Sequence, residues 1–304
     1  MNQNRLSTTH ASAFGLVWQS DIALEYFSTH RDQNAVVDVI VVGVNELRSR
    51  QPTSAINRGF VYHDGIRLKW DDEVSFDMYD GNRIEYLKGG NWTGKLPLTF
   101  YSTVAALTLA WRGLLPFHAS AVEIDGKAVL VSGDTGAGKS TLTAGLVDQG
   151  ACFVSDDLSV VGWSDVTSQY VVYPGRPTLR LYPTTASWVS ESETVAGPQD
   201  ERGKLLLRLR RQTKATALPL AGLIQIGSGI DPVPAVVNYR ILTQQLFRPK
   251  WMAQLRDDIE RKHALFDLAK AIQVVRHRPH DVREKSVFVQ SALEALGNIR
   301  SALL

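Results

Sequence analysis

The sequence predicts an α/β protein in two parts, a smaller β-rich N-terminal domain over residues 1–98 and a P-loop core over residues 99–304. Two observations carry this. Strand patterns and tight-turn signals fill the first hundred residues. An apolar strand, a glycine-rich loop and a helix then follow one another between Ala128 and Gly150.

In the first part, Ala35–Val44 is a continuous β-branched run and reads as a buried strand. Gly59–His63 and Ile66–Trp70 flank Asp64-Gly65, a strong short hairpin signal, and Asp80-Gly81 separates Val74–Tyr79 from Arg83–Leu87. From Ser102 the period becomes helical, with Val104, Leu107, Ala110 and Trp111 on one face, until Gly113 and Pro116 stop it. The domain boundary is placed near Lys95–Tyr101.

In the second part, Ala119–Ile124 and Lys127–Val131 are expected as strands joined by Asp125-Gly126, and Ala151–Ser155 as a strand after the loop helix. Ser159–Trp163 with Gln169–Tyr173 reads as a further hairpin. Leu205–Leu209 and Leu220–Ile226 are strand-like. Helical patterns start at Thr243 and around Asp258, and Asp281 with Glu284 has the spacing of a capping box.

Composition excludes several classes. The 304 residues are 44% hydrophobic and 21% charged, values of a folded soluble chain, and the net charge of +2 advertises no nucleic-acid surface. No apolar run reaches the ~18 residues that span a bilayer, and MNQNRLSTTH lacks the features of a signal peptide. The single Cys152 excludes an intramolecular disulfide. The expectation is a cytoplasmic protein with neither a membrane nor a nucleic acid as partner.

The loop carries the chemistry. Gly133, Asp134, Thr135, Gly136, Ala137, Gly138, Lys139 and Ser140, followed by Thr141, fit GxxxxGK[ST] at every fixed position. Glycines let backbone N–H groups turn inward around phosphate oxygens. Lys139 then reaches the β- and γ-phosphates of ATP, Ser140 offers a hydroxyl to Mg²⁺, and the helix beyond presents its positive end to the anion. No LSGGQ-like or NKxD-like segment accompanies the loop, which weighs against ABC-type ATPases and GTPases. Asp156-Asp157 ends the strand after the loop helix, where strand carboxyl ends line the ligand crevice of an α/β sheet. Two carboxylates there can divide proton acceptance and Mg²⁺ binding between them. His118 opens the strand that pairs with the one feeding the loop, so its ring can turn toward the phosphates. A lone histidine after Leu114-Leu115-Pro116-Phe117 is otherwise most simply a half-buried residue.

His118, Gly133–Thr141 and Asp156-Asp157 resemble the catalytic domain of HPr kinase/phosphorylase, over some forty residues. The family pattern is a histidine, a hairpin, GDSGxGKS and VADD; the counterparts are His118, GDTGAGKS and VSDD. The resemblance implies a P-loop kinase core of the HPr kinase and phosphoenolpyruvate carboxykinase type that uses ATP and Mg²⁺, and it allows a homo-oligomer. It implies Asp156 as the general base for a serine hydroxyl, Asp157 as the Mg²⁺ partner beside Ser140, and His118 as a residue that orients or balances them. The reverse division between the aspartates stays open. The family's glycine-rich signature with a glutamate and an asparagine is absent; Tyr173-Pro174-Gly175-Arg176-Pro177 and Leu179-Arg180-Leu181-Tyr182-Pro183 stand there. Phe14-Gly15-Leu16 with Ser20, and the Arg112–Val122 approach to the loop, are similar to HPr-kinase-like proteins that tailor lasso peptides. That branch implies a precursor peptide as partner, phosphorylated on its C-terminal serine.

Among weaker candidates, Lys204, Arg208, Arg210 and Arg211 could meet phosphate or a substrate carboxylate, and one of Arg176 and Arg180 could meet substrate or nucleotide. A small-metabolite P-loop kinase and a non-catalytic nucleotide-binding sensor are the alternatives. The first usually carries its loop near the start of the chain, whereas about 130 residues precede it here. The second has no use for the joint presence of His118, Lys139 and Asp156-Asp157.

Overall fold

A mixed α/β architecture with several sheets is present in the computed structural model, which describes residues 8–32, 34–195, 203–227, 235–255, 258–278 and 281–303. Its contacts divide into two units, Met1–Leu114 with Lys250–Asp258, and Leu115–Pro249 with Ile259–Leu304. Among the described residues no helix is long and apolar enough to cross a membrane.

Among the described residues the first unit holds nine strands: β1 (Thr9–Ala13), β2 (Leu16–Ser20), β3 (Ser28–Thr29), β4 (Val39–Val44), β5 (Ser54–Ile56), β6 (Gly59–Tyr62), β7 (Gly65–Trp70), β8 (Val74–Tyr79) and β9 (Arg83–Lys88). They form one sheet in the order β3-β1-β2-β4-β9-β8-β7-β6-β5. β1 and β2 turn through Phe14 and Gly15, both at positive φ, the two-residue geometry that follows the strand twist.

Two local expectations shift. β4 starts at Val39 rather than Ala35, because the Asp38 carboxylate accepts the Val17 N–H at 2.8 Å and ties the chain off before the ladder. The β6–β7 hairpin closes on the Tyr62–Gly65 pair, so its tip is His63-Asp64, one residue earlier than Asp64-Gly65. Gly65 lies in the strand, where an added Cβ would sit 1.8 Å from the Met78 carbonyl oxygen; close backbone approach requires the glycine.

A π-turn over Phe100–Val104 leads into α1 (Ala105–Trp111). Phe100 packs on Phe76 and Tyr101, with ring centroids 5.8 and 5.1 Å apart, and Trp18 on Phe27 at 5.1 Å. This aromatic cluster explains why the helix groups with the first unit, so that the contact division falls after Leu114 while the sequence places the boundary at 98. On the same sheet, fully buried Asp77 pairs with Arg50 and Arg67. Desolvated carboxylates need such partners.

The second unit begins with β10 (Leu115–Phe117), β11 (Ser120–Ile124) and β12 (Lys127–Ser132), then α2 (Lys139–Asp148), β13 (Cys152–Ser155), β14 (Ser159–Ser164) and β15 (Gln169–Tyr173). Next come β16 (Leu179–Leu181), α3 (Pro183–Ala186), β17 (Ser192–Thr194), β18 (Leu205–Leu209) and β19 (Leu218–Ile226). The chain closes with α4 (Ala235–Gln245), α5 (Pro249–Met252, of which Lys250–Met252 belong to the first unit), α6 (Asp258–Ala271), β20 (Gln273–His277) and α7 (Lys285–Leu303). The main sheet has the order β10-β14-β15-β19-β12-β11-β13, with β20 also on β19; β16, β18 and β17 form a small sheet. Asp125 and Gly126, both at positive φ, make the expected turn between β11 and β12.

Alternation along β12 builds the layers. Val129 and Val131 face a core with Leu142 and Leu146 of α2 and Phe288, Leu296 and Ile299 of α7. Ala128 and Leu130 face Ile241 and Leu242 of α4 and Leu265 and Leu268 of α6. β12 runs parallel to β19, and β19 to β20. β11 is antiparallel to both β12 and β13, so β13 points the same way as β12. The carboxyl ends of β12, β13, β19 and β20 therefore gather at one edge together with the amino end of β11.

Two helix starts differ from the sequence reading. Thr243 lies in the last turn of α4, donating its hydroxyl to the Tyr239 carbonyl, because the apolar pattern on which Ile241 and Leu242 pack extends upstream. α7 begins at Lys285, and the Asp281 carboxylate bonds Arg283 Nε at 2.8 Å instead of capping.

Candidate active site

Glycine conformations make the loop. Gly133, Gly136 and Gly138 all take positive φ, at 153°, 87° and 97°. A side chain at Gly133 would also press on Ile226, 3.1 Å away. Gly138 is the N-cap of α2, so the helix's unpaired N–H groups open into the loop. Lys139 is nearly buried and donates its Nζ hydrogens to the Gly133 and Asp134 carbonyls at 2.9 and 3.3 Å. Burial pushes its pKa down from the usual lysine value, against the raising effect of Asp157, Asp156 and Asp134, and Lys204 lowers it further. Lys204, whose ammonium also lies over the Tyr182 ring, thus belongs to the electrostatic surroundings of the loop lysine. Its sequence neighbours Glu201 and Arg202 lie outside the described residues.

The Asp156-Asp157 turn is held from below by side chains. Ser155 and Ser159 share a hydrogen bond of 2.7 Å, and Ser159 Oγ donates to the Ala119 carbonyl. Asp157 adopts φ 68°, a left-handed conformation that aspartate tolerates better than most residues. That conformation turns the two carboxylates to different partners. Asp156, 3% exposed, accepts hydrogen bonds at Oδ1 from Ser120 Oγ (2.7 Å) and Ser140 Oγ (3.0 Å), and at Oδ2 from the Arg180 N–H (3.2 Å). Asp157 instead meets Arg180 Nη2 at 3.1 Å, Arg176 Nη2 at 3.7 Å and His118 Nδ1 at 3.4 Å. Ser140 therefore stands beside Asp156 and not beside Asp157.

Burial pushes the Asp157 carboxyl up, and the guanidinium groups of Arg180 and Arg176, with His118 and Lys139, more than offset it. Asp157 is held ionised below the usual carboxylate range. His118 has its pKa lowered by burial, against the opposing pull of Asp157. Its Nδ1 lies 3.1 Å from the Asp157 carbonyl oxygen. A carbonyl only accepts, so Nδ1 carries the hydrogen in this bond and Nε2 holds the lone pair of the neutral ring. The ring also packs edge-on to Phe247, at 5.8 Å.

A stability prediction follows from the lowered His118 pKa. Between the folded value and the unfolded reference of 6.5, the unfolded chain binds more protons, so stability falls as pH drops through that window. Chemical denaturation at pH 7.5 and at about pH 5.5 should show a smaller loss in His118→Asn than in the parent. Equal losses would place the titrating group elsewhere.

Of the residues singled out in the sequence, Lys139, Ser140, Asp156, Asp157 and His118 come together here. Arg176 and Arg180, one of which the sequence suggested for substrate or nucleotide, both bind Asp157. Arg210 and Arg211 use their backbones to hold the neighbouring strands, Arg210 N–H on Glu191 and the Arg211 carbonyl on Phe153. Cys152 is a half-buried thiol whose pKa is raised by burial. Ser120 was missed. Its sequence signal is a hydroxyl residue opening β11 two positions after His118, and the structure shows it fully buried.

No group of three or more His, Cys, Asp or Glu side chains able to hold a metal occurs among the described residues. Ser140 Oγ and Asp156 Oδ1 are hard oxygen donors 3.0 Å apart at the loop, the set that suits Mg²⁺ shared with phosphate oxygens.

Comparison with known proteins adds a structural likeness. No family model and no curated protein matches the chain. A solved structure similar to it is the Hpr(Ser) kinase/phosphatase from Coxiella burnetii. The TM-score is 0.26 and the identity 18%, over 39% of this chain and 72% of that chain. The chemistry assigned to the site rests on its own side chains.

Proposed function

We propose that this chain is an ATP-dependent kinase that transfers the γ-phosphoryl group to a serine hydroxyl of a peptide. The observation that carries the reading is the meeting of a phosphate loop with two carboxylates of different environment. Asp156 lies on the loop hydroxyl of Ser140, and Asp157 lies on His118 and two arginines. A nucleotide-binding sensor needs the first and has no use for the second.

The geometry supports an exchange of the two aspartate roles relative to the sequence reading. Ser140 and Asp156 would hold Mg²⁺, which neutralises charge between the β- and γ-phosphates when bound. Lys139 would leave the Gly133 and Asp134 carbonyls for the phosphate oxygens. Asp157 would accept the acceptor's O–H proton as the oxygen–phosphorus bond forms and the bond to ADP breaks. A carboxylate kept ionised is a weak base, but in a loose transition state the proton moves late and orientation matters more than basicity. His118 would hold Asp157 through its carbonyl, and Arg176 and Arg180 would keep its carboxylate aimed.

The peptide acceptor rests on the resemblance of the Arg112–Val122 stretch to lasso-peptide tailoring kinases. The acceptor proposed is the C-terminal serine of a ribosomally made precursor. Incubation with Mg·ATP and such a precursor should add one phosphate mass, and Asp157→Asn should slow the gain at least about 100-fold. Phosphorylation of nucleosides or sugars in place of the peptide would make the chain a metabolite kinase. No transfer to either would support the sensor.

A further inference from the structure

A cavity of about 210 Å³ opens at the other end of the loop. It is lined by Gly136–Gly138 and Thr141, by Ile226 and His277 at the ends of β19 and β20, and by Phe288 and Ser291 of α7. Lys139, Ser140, His118, Asp156 and Asp157 do not border it. Direction is the first argument. The terminal phosphate must lie at the catalytic cluster, so a polyphosphate running along the loop leaves it on the Thr141 side, and whatever it carries emerges at this cavity.

Size is the second argument. Pockets for whole small ligands run to ~300–1,000 Å³; this one suits a single planar ring system whose phosphates lie outside it. Chemistry is the third. Ile226 and Phe288 give an apolar wall, and within it sits one polar pair, His277 Nε2 and Ser291 Oγ, 2.9 Å apart at 4% and 6% exposure. A hydroxyl has one donor and two lone pairs, so the Ser291 Oγ is not exhausted by this bond and can serve a ring edge as well. An aromatic base buried on an apolar wall with one edge-directed polar group is the recognition this lining supports.

We propose that this cavity holds the base of the nucleoside triphosphate, against Ile226 and Phe288 with one edge on Ser291. The inference rests on the loop binding that nucleotide's phosphates. It makes α7, which contributes no catalytic group, the element that separates ATP from a bare polyphosphate.

The test compares Mg·ATP with magnesium tripolyphosphate by calorimetry on the full chain. Val282→Trp narrows the cavity from a half-buried rim position, and Ser291→Ala removes the hydroxyl. Val282→Trp should weaken ATP about 10-fold or more and Ser291→Ala about 3-fold, with tripolyphosphate affinity unchanged in both. Unchanged tripolyphosphate binding also reports that the loop is folded. Equal weakening of both ligands, or weakening of neither, overturns the base pocket while leaving the phosphate loop in place. Lys139→Ala should weaken both ligands. A parent chain that binds neither overturns the phosphate-loop reading and the pocket with it.

Discussion

Asp156→Asn is expected to cut turnover by about 10²–10³-fold, the loss typical when one preorganised charge-stabilising group is removed, and to raise the Mg²⁺ concentration needed for half-maximal rate. The carboxylate accepts from Ser120, Ser140 and the Arg180 N–H. An asparagine can accept at only one of its two terminal atoms, so one of these donors then faces an NH₂ group. That mismatch costs about 1–3 kcal/mol of stability in a buried place, measurable by denaturant titration. The kinetic signature is the decisive part. If Asp156 is the metal partner, a magnesium titration separates the variant from the parent; if it is the base, the magnesium dependence stays put and only the maximal rate falls.

Asp157→Asn should show the complementary pattern. Asparagine tolerates the left-handed φ of 68° at least as well as aspartate, so the turn is kept. Turnover should fall by about 10²–10⁴-fold, the range of a lost general base, with the KM for ATP and the magnesium dependence close to those of the parent. Stability at pH 7 should drop by about 3 kcal/mol, the low end for a broken buried pair, because buried Arg176 and half-buried Arg180 lose their shared anion. The sign with pH is fixed by the depressed carboxyl. Its contribution is present above the unfolded value of 3.8 and is lost as pH falls through the lower folded value. The stability gap between parent and variant should therefore close in acid. A gap that is the same at low pH would remove Asp157 from the ion pairs described, and an active variant would remove it from catalysis.

The loop and its helix were legible because the constraints that identify them are local. Gly133, Gly136 and Gly138 need positive φ, and Lys139 and Ser140 follow at fixed offsets; the close approach of Ile226 to Gly133 adds to these constraints but is not needed to recognise them. The turns at Asp125-Gly126 and Asp80-Gly81 were legible for the same reason. Gly65 shows where local reasoning stops. The dipeptide Asp64-Gly65 looks like a turn, but the glycine is required by the Met78 carbonyl of the neighbouring strand, thirteen positions away. Asp281 shows it again: the capping spacing is there, yet Arg283 takes the carboxylate and α7 starts later.

By itself the sequence determined that this chain has a glycine-rich GxxxxGK[ST] loop between strand and helix, a histidine before it and an aspartate pair after it. Only the tertiary structure decided which aspartate faces the loop hydroxyl. That choice depends on β13 lying beside β11, which puts Ser120 near Asp156. It depends also on the left-handed backbone at Asp157, which turns the second carboxylate toward Arg176 and Arg180. Strand order and side-chain direction at a turn arise from pairings between distant segments, and residue identities along one segment do not encode them.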